Sequence, residues 1–492
     1  MKHLRLLTLL LVALIAAPVG AQTLPDTAPL DAFVRAEMER LNVPGAALAI
    51  VEGDAITYVQ GYGDRNAAGD PVTGETQFFI GSASKSFTAL AVMQLVEAGA
   101  VGLDDPVAAY LPWFTYEAIT VRHLLNQTSG YTTRTGLRAD TNTDQRDTAL
   151  AESVRALHTD PLAHEPGTAY AYSNLNYNIL GLIVQEVTGL SYEAVITQRI
   201  FEPLGMTGST ARPDFSVALG AEPRIEQMTA GHRYWFGLAR PAPDLFAPRA
   251  MTPSSYLIST PADMARYLLA HLNGGAVDGQ RVLSEAGIAL LHEPAADTGT
   301  GGSYAMGWVV EPFGPAEEAL WHAGDTPHFN TTMVLLPEHD LGFMLLMNAN
   351  STARAASLHE VAARLTALLL DETPAEPVPG PLGAAIRGTL GVLLVGQLAW
   401  IAGSVMLLQR WQERGTAANP LQVGLPLLGD AAFALLWLRG VPALFGIPLA
   451  IIGRYGPTEG VLIFAAAGLA VVWGAARSVL ALNTQSQAKG IA

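Results

Sequence analysis

The chain has 492 residues, half of them apolar, with a formal charge of −16, a sequence pI near 5.1 and no cysteine. That length and apolar content provide for a sizeable core and exclude disorder, while the acidic balance, without a run of lysine or arginine, excludes a nucleic-acid partner. Without cysteine there is no disulfide framework, zinc–thiolate site or thiol nucleophile.

At the start, Met1-Lys2-His3-Leu4-Arg5 is positively charged, Leu6 to Ala17 is apolar but too short to span a bilayer, and small residues end at Ala21. This order predicts a signal peptide over 1–21 and export of the chain from Gln22 onward; an uncleaved anchor is the alternative. Residues 22–370 read as one globular unit. Asp31 to Leu41 has helical spacing, with Phe33, Val34, Met38 and Leu41 on one side. Ala46 to Val51 and Ile56 to Val59, around a turn at Gly53-Asp54, predict a hairpin. From Ser82 to Gly99 the chain is apolar almost all round, which predicts a buried helix beginning at the serine. Helical patterns at Val121 to Leu125, Leu175 to Val187 and Ala262 to Leu272 lie in a helix-rich middle, and strand-like runs return at Tyr304 to Val310, Thr331 to Leu336 and Leu341 to Met347. Helices inserted between early and late strands predict an α+β fold, its sheet drawn from both ends of the unit and covered by a helical region.

The composition changes after Asp371, where four prolines in Asp371 to Pro381 predict a stiff solvated linker, taken here as 371–386. Residues 387–485 then read as a membrane region. Gly388 to Leu408 is an uncharged apolar run of the ~20 residues that cross a bilayer. Two further spans are expected at 421–438 and 461–481, interrupted by Asp430 and Arg477, with Pro442 to Ile452 as a re-entrant or interfacial piece. With the globular unit outside, Arg410, Arg414 and Lys489 fall on the cytoplasmic side as the positive-inside rule asks, and Arg439 and Arg454 fall on the other.

Lys85 is the one lysine between Lys2 and Lys489, and it stands three positions after Ser82. A serine hydroxyl needs a base within hydrogen-bond reach to become a nucleophile, and a buried lysine, unlike an arginine, can be brought to lose its proton near neutral pH. Positions i and i+3 share a helix face, so Lys85 can aim its amine at Ser82. The competing role for Ser82 is a helix cap.

The surrounding Phe79-Ile80-Gly81-Ser82-Ala83-Ser84-Lys85-Ser86-Phe87-Thr88 resembles the Ser-x-x-Lys segment of the serine β-lactamase and penicillin-binding-protein family, in particular its class C and related-esterase branch. Tyr172-Ser173-Asn174 is similar to that branch's Tyr-x-Asn motif, and His322-Ala323-Gly324 to its His-x-Gly counterpart of Lys-Thr-Gly. His123 to Gly130, Ile258 to Ala265 and Met306-Gly307-Trp308 are softer likenesses, so the resemblance spans nearly all of residues 30–370. It implies an antiparallel sheet flanked by helices with a helical subdomain, and a serine hydrolase that needs no metal or cofactor. Carried over residue by residue, Ser82 is the nucleophile that forms an acyl-enzyme, Lys85 and Tyr172 share proton transfer, and Asn174 holds Lys85 or binds the substrate amide. The backbone N–H groups of Ser82 and Asp325 form an oxyanion hole, and Gly324 lets substrate approach the strand. Tyr172 as a core aromatic, Asn174 as a helix cap and His322 as a packed histidine are the competing roles.

A histidine where many members have lysine, and Ala323 in place of threonine, remove a fixed charge and a hydroxyl for a substrate carboxylate. Esters, D-amino-acid amides and peptides therefore stand beside β-lactams as substrates, and Arg354 is a candidate for the missing charge, with a helix-end role as its rival. The expected protein is a membrane-tethered hydrolase facing outward from a bacterial cell, with a small-molecule or peptide carbonyl compound as substrate. A D,D-peptidase, or a sensor in which the acyl adduct persists, is the alternative. The sequence says nothing of its oligomeric state.

Overall fold

The structure, a computed structural model, describes residues 26–142, 144–211, 227–242, 247–378, 380–414 and 420–490. The expected signal peptide lies outside them. The elements that frame the site are helix α1 (Ala28–Leu41), strands β1 (Gly45–Glu52) and β2 (Ala55–Gly63), and helices α2 (Ser84–Glu97), α3 (Asn174–Thr188) and α4 (Pro261–Leu272). Strands β3 (Ala296–Asp297), β4 (Ser303–Tyr304), β5 (Val309–Phe313), β6 (Ala316–Asp325), β7 (Asn330–Leu336) and β8 (Leu341–Met347) come next, then helix α5 (Ala355–Leu369).

The strands form one eight-stranded antiparallel sheet in the order β2-β1-β8-β7-β6-β5-β4-β3, so the N-terminal hairpin joins the C-terminal strands as the α+β reading requires. Side chains alternate across β1: Ala47, Ala49 and Val51 enter the large core beneath α2 and the helical region, and Ala46, Leu48 and Ile50 enter the core under α1 and α5. Both faces are covered, which is why this strand reads as an unbroken apolar run.

Ser82 does not begin the α-helix. It lies in a single 3-10 turn, Gly81–Ala83, and α2 starts at Ser84. The turn is held by the Ser84 hydroxyl, which donates to the Gly81 carbonyl (2.7 Å) and accepts from the Leu257 N–H (3.1 Å). The strand expected from Tyr304 to Val310 is broken into β4 and β5, because Gly307 takes a left-handed conformation (φ +86°) and reverses the chain.

Beyond the globular unit are helices α6 (Pro381–Arg414), α7 (Pro420–Leu435), α8 (Leu449–Tyr455) and α9 (Pro457–Gly490). Three stretches, Leu382–Trp411, Val423–Phe445 and Pro457–Leu482, are long and apolar enough to cross a membrane. The extended segment ends earlier than 386 because Pro381, with φ preset and no N–H to lose, suits the first position of α6. Pro442 likewise belongs to the second stretch, which runs through a π turn, Leu436–Gly440, to Phe445, where Gly446 turns left-handed. The two charges that interrupt the apolar runs face each other: Arg477 donates to Asp430 (2.6 Å), which also accepts from the Trp400 indole (2.8 Å).

Candidate active site

The turn that carries Ser82 is pressed against the end of β6. A Cβ on Gly81 would sit 2.5 Å from the Asp325 nitrogen, and one on Gly324 would sit 2.1 Å from the Ile80 carbonyl oxygen. Neither distance is physically tolerable, so glycine on both sides is what lets the two backbones meet and brings the Asp325 amide beside the serine turn. Thr331 on β7 locks the contact by donating to the Ile80 carbonyl (2.9 Å).

Lys85, the second residue of α2, is fully buried, and its amine makes three hydrogen bonds, with Ser82 Oγ at 3.0 Å, Asn174 Oδ1 at 2.7 Å and the Ser254 carbonyl at 2.7 Å. Burial pushes this amine well below its usual range. A neutral amine has two N–H donors and one lone pair. In that form the Asn174 and Ser254 oxygens, which can only accept, occupy both donors and the lone pair faces Ser82; in the ammonium form all three contacts are donated by Lys85.

Tyr172 approaches from the other side, its hydroxyl donating to Ser82 Oγ at 2.8 Å. Some of its surface faces the cleft, yet the cleft walls enclose the hydroxyl. Burial, with Tyr304 adding to it and the Ser82 bond opposing, pushes the phenol well above its usual range. Burial thus acts on the two groups in opposite directions, favouring the neutral form of each, the amine of Lys85 and the phenol of Tyr172.

The segment bearing Tyr172 is fixed by the softer likeness at His123 to Gly130. Gln127, itself left-handed (φ +59°), accepts from the Ser173 N–H (3.0 Å) and the Asn176 amide (2.6 Å), and its carbonyl accepts from Ala171 (2.8 Å). Asn174 is the first residue of α3, whose cap is Ser173, so it is not a helix cap; its side chain accepts from Lys85 instead.

His322 lines the cleft from β6, with Nδ1 2.7 Å from the Ala323 carbonyl and Nε2 3.3 Å from the Tyr304 hydroxyl. Burial, reinforced by the charge Lys85 can carry, lowers it to about 3, so the imidazole is neutral at physiological pH. Asp325 accepts from Asn330 (2.9 Å) and Asn350 (2.8 Å) and lies 2.9 Å from His359 Nε2. Burial opposes its charge, but His359 and the two amides outweigh that and hold the carboxyl below its usual range.

Ser82, Tyr172, Asn174, His322 and Asp325 thus share one cleft of about 470 Å³, with Lys85 buried behind Ser82, outside the lining, and Gly324 in its wall strand. Arg354 is elsewhere: it donates to the Leu41 (3.0 Å) and Gly237 (3.3 Å) carbonyls and lies 4.5 Å over the Tyr234 ring. Among the described residues, those lining the cleft include no arginine or lysine. Sequence reasoning missed the Ser254 carbonyl, Tyr304, Asn350 and His359, none of which has a local signal, and also missed Ile447, Ile451 and Tyr455, which enter the cleft from the C-terminal helices.

The profile of the Beta-lactamase family matches residues 30–368. Protein flp of Staphylococcus aureus (strain MRSA252) is 28% identical over 340 residues, 65% of this chain and 63% of that protein. This chain therefore spans less than two thirds of that relative's length. Penicillin-binding protein 4 of Amycolatopsis lactamdurans is 35% identical over 276 residues, 54% of this chain and 70% of that one. Among solved structures, the octameric penicillin-binding protein homologue from Pyrococcus abyssi superposes with a TM-score of 0.62 at 28% identity, covering 72% of this chain and 79% of its own. The D-amino acid amidase from Ochrobactrum anthropi SV3 does so with 0.59 at 23% identity, covering 70% and 99%, a likeness of fold alone.

Proposed function

Because the chain belongs to the Beta-lactamase family, we propose that it is a membrane-tethered serine hydrolase. Its globular unit lies outside the cytoplasm, and it works through an acyl-enzyme on Ser82. The observation that carries this is the double engagement of Ser82 Oγ, by the Lys85 amine at 3.0 Å and by the Tyr172 hydroxyl at 2.8 Å. Lys85 takes the serine proton as Oγ attacks an ester, amide or lactam carbonyl. The Ser82 and Asp325 N–H groups receive the oxyanion, each such donor being worth roughly 10²–10³ in rate. The C–O or C–N bond then breaks, the leaving group takes the Tyr172 proton, and the Lys85 ammonium resupplies it. Water repeats the sequence on the acyl-serine, giving the free acid and regenerating Ser82.

A neutral His322 and a cleft lining without arginine or lysine among the described residues favour substrates with no carboxylate next to the scissile bond. A chromogenic cephalosporin, acyl esters, a D-Ala-D-Ala peptide and D-amino-acid amides, each compared between wild type and Ser82→Ala, test the reading. At least one is expected to be turned over, with loss of roughly 10⁴-fold or more in the variant; full turnover by folded Ser82→Ala overturns it. A sensor role is the second reading, favoured by the entry of C-terminal residues into the cleft. An adduct that outlasts hours supports sensing, and rapid deacylation supports catalysis.

A further inference from the structure

We infer that the C-terminal helices complete the catalytic cleft and select an amphiphilic ester or amide whose carbonyl reaches Ser82 while its hydrocarbon chain lies in the bilayer. The inference rests on the proposed hydrolase activity. Together with Ser82, Tyr172 and His322, the cleft is lined by Ile447, Ile451, Tyr455 and Leu382. These four residues sit where the apolar stretches end. Leu382 is the first residue of the first stretch, and Ile447 to Tyr455 is the link between the second and third. With the helices embedded, the wall of the cleft stands at the boundary of the hydrocarbon.

The link is held in place by the globular unit. Arg454 donates to the Asp140 carbonyl (2.5 Å), Thr352 N–H donates to the Tyr455 carbonyl (3.1 Å), and Phe236 N–H donates to Thr458 Oγ1 (2.8 Å). Of the lining, Leu382 is 46% exposed, and Leu444, just before the link, is 67% exposed. A polar peptide gains nothing from such a wall. A hydrocarbon chain does, because each methylene it buries is worth roughly threefold to fourfold in binding. At the chemical end, the neutral imidazole and the lack of arginine or lysine in the lining suit an uncharged carbonyl group.

The test uses the full chain in phosphatidylcholine vesicles with the acetyl, hexanoyl and decanoyl esters of p-nitrophenol. Relative kcat/KM is expected to rise about tenfold or more from acetyl to decanoyl. Ile451→Asn and Ile447→Asn should each cut the decanoyl-to-acetyl ratio about fivefold or more, the identical vesicles cancelling any partitioning of the esters. Labelling of Ser82 by a fluorophosphonate reports that a variant is folded, and Leu382→Asn, at an exposed position, replaces any variant that fails to label. A flat chain-length series in wild type, or a ratio unmoved in the labelled variants, overturns the inference. With short esters still cleaved, either result leaves the hydrolase reading standing. Hydrolysis of none of the three esters also overturns the inference, and the hydrolase reading is then decided by the cephalosporin, peptide and amide substrates.

Discussion

Lys85 is shifted by its surroundings rather than by its identity: its amine meets Ser82, Asn174 and the Ser254 carbonyl, with the Tyr172 and Tyr177 rings 4.8 and 5.7 Å away, and burial pushes it toward the neutral form. His322 obeys the same logic and brings a measurable cost. It is neutral in the folded protein down to about pH 3, whereas in the unfolded chain it takes up a proton near 6.5. Between those values the unfolded state binds more protons, so stability falls as pH falls, by up to ~1.4 kcal/mol per pH unit for this group. Melting temperatures measured from pH 7 to pH 4 should therefore drop less steeply for His322→Gln than for wild type. Ser82 and Lys85 were legible in the sequence because their spacing is local and lysine is otherwise so scarce. His359 was not, since its role depends on Asp325, brought to it across the sheet.

At the scale of elements, the site is a meeting of the Gly81–Ala83 turn, the start of α3 and the end of β6. Gly324 is the point of closest approach. Gly324→Ala places a methyl group 2.1 Å from both the Ile80 carbonyl and Thr331 Oγ1, so the turn or the strand must move. We expect ~1–3 kcal/mol of overpacking cost. Because a misplacement on the order of 1 Å is worth roughly 10² in rate, a loss of about a hundredfold in kcat/KM should accompany a fold that thermal melting shows intact. The hairpin of β1 and β2, and strands β7 and β8, were foreseeable from their apolar runs. The short 3-10 turn at Ser82 and the reversal at Gly307 were not, because a one-turn change of hydrogen-bond pattern leaves no periodicity to read. The apolar runs of the C-terminal region were plain, but the pairing that accommodates Asp430 and Arg477 depends on helices far apart in sequence.

For the molecule as a whole, the junction between the globular unit and the C-terminal helices is a structural contact and the proposed selector of amphiphilic substrates. Asp140 is buried and accepts from Tyr256 (2.8 Å), with the Arg454 guanidinium 3.8 Å from its carboxylate. Removing the arginine leaves a buried carboxylate without its counter-charge, which costs roughly 3 kcal/mol. Arg454→Ala should therefore lower the detergent-solubilised melting temperature, and Asp140→Asn combined with it should restore most of the loss; an additive double variant would show the pair uncoupled. By itself the sequence determined the α+β class, the family resemblance, the order of the three motifs and the apolar character of the C-terminal stretches, because each is written in local spacing and composition. Only the tertiary structure decided that burial pushes Lys85 below and Tyr172 above their usual ranges, where Arg354 goes, and that Ile447, Ile451 and Tyr455 share a cleft with Ser82. Those outcomes depend on burial and on contacts between residues hundreds of positions apart, and no local pattern encodes either.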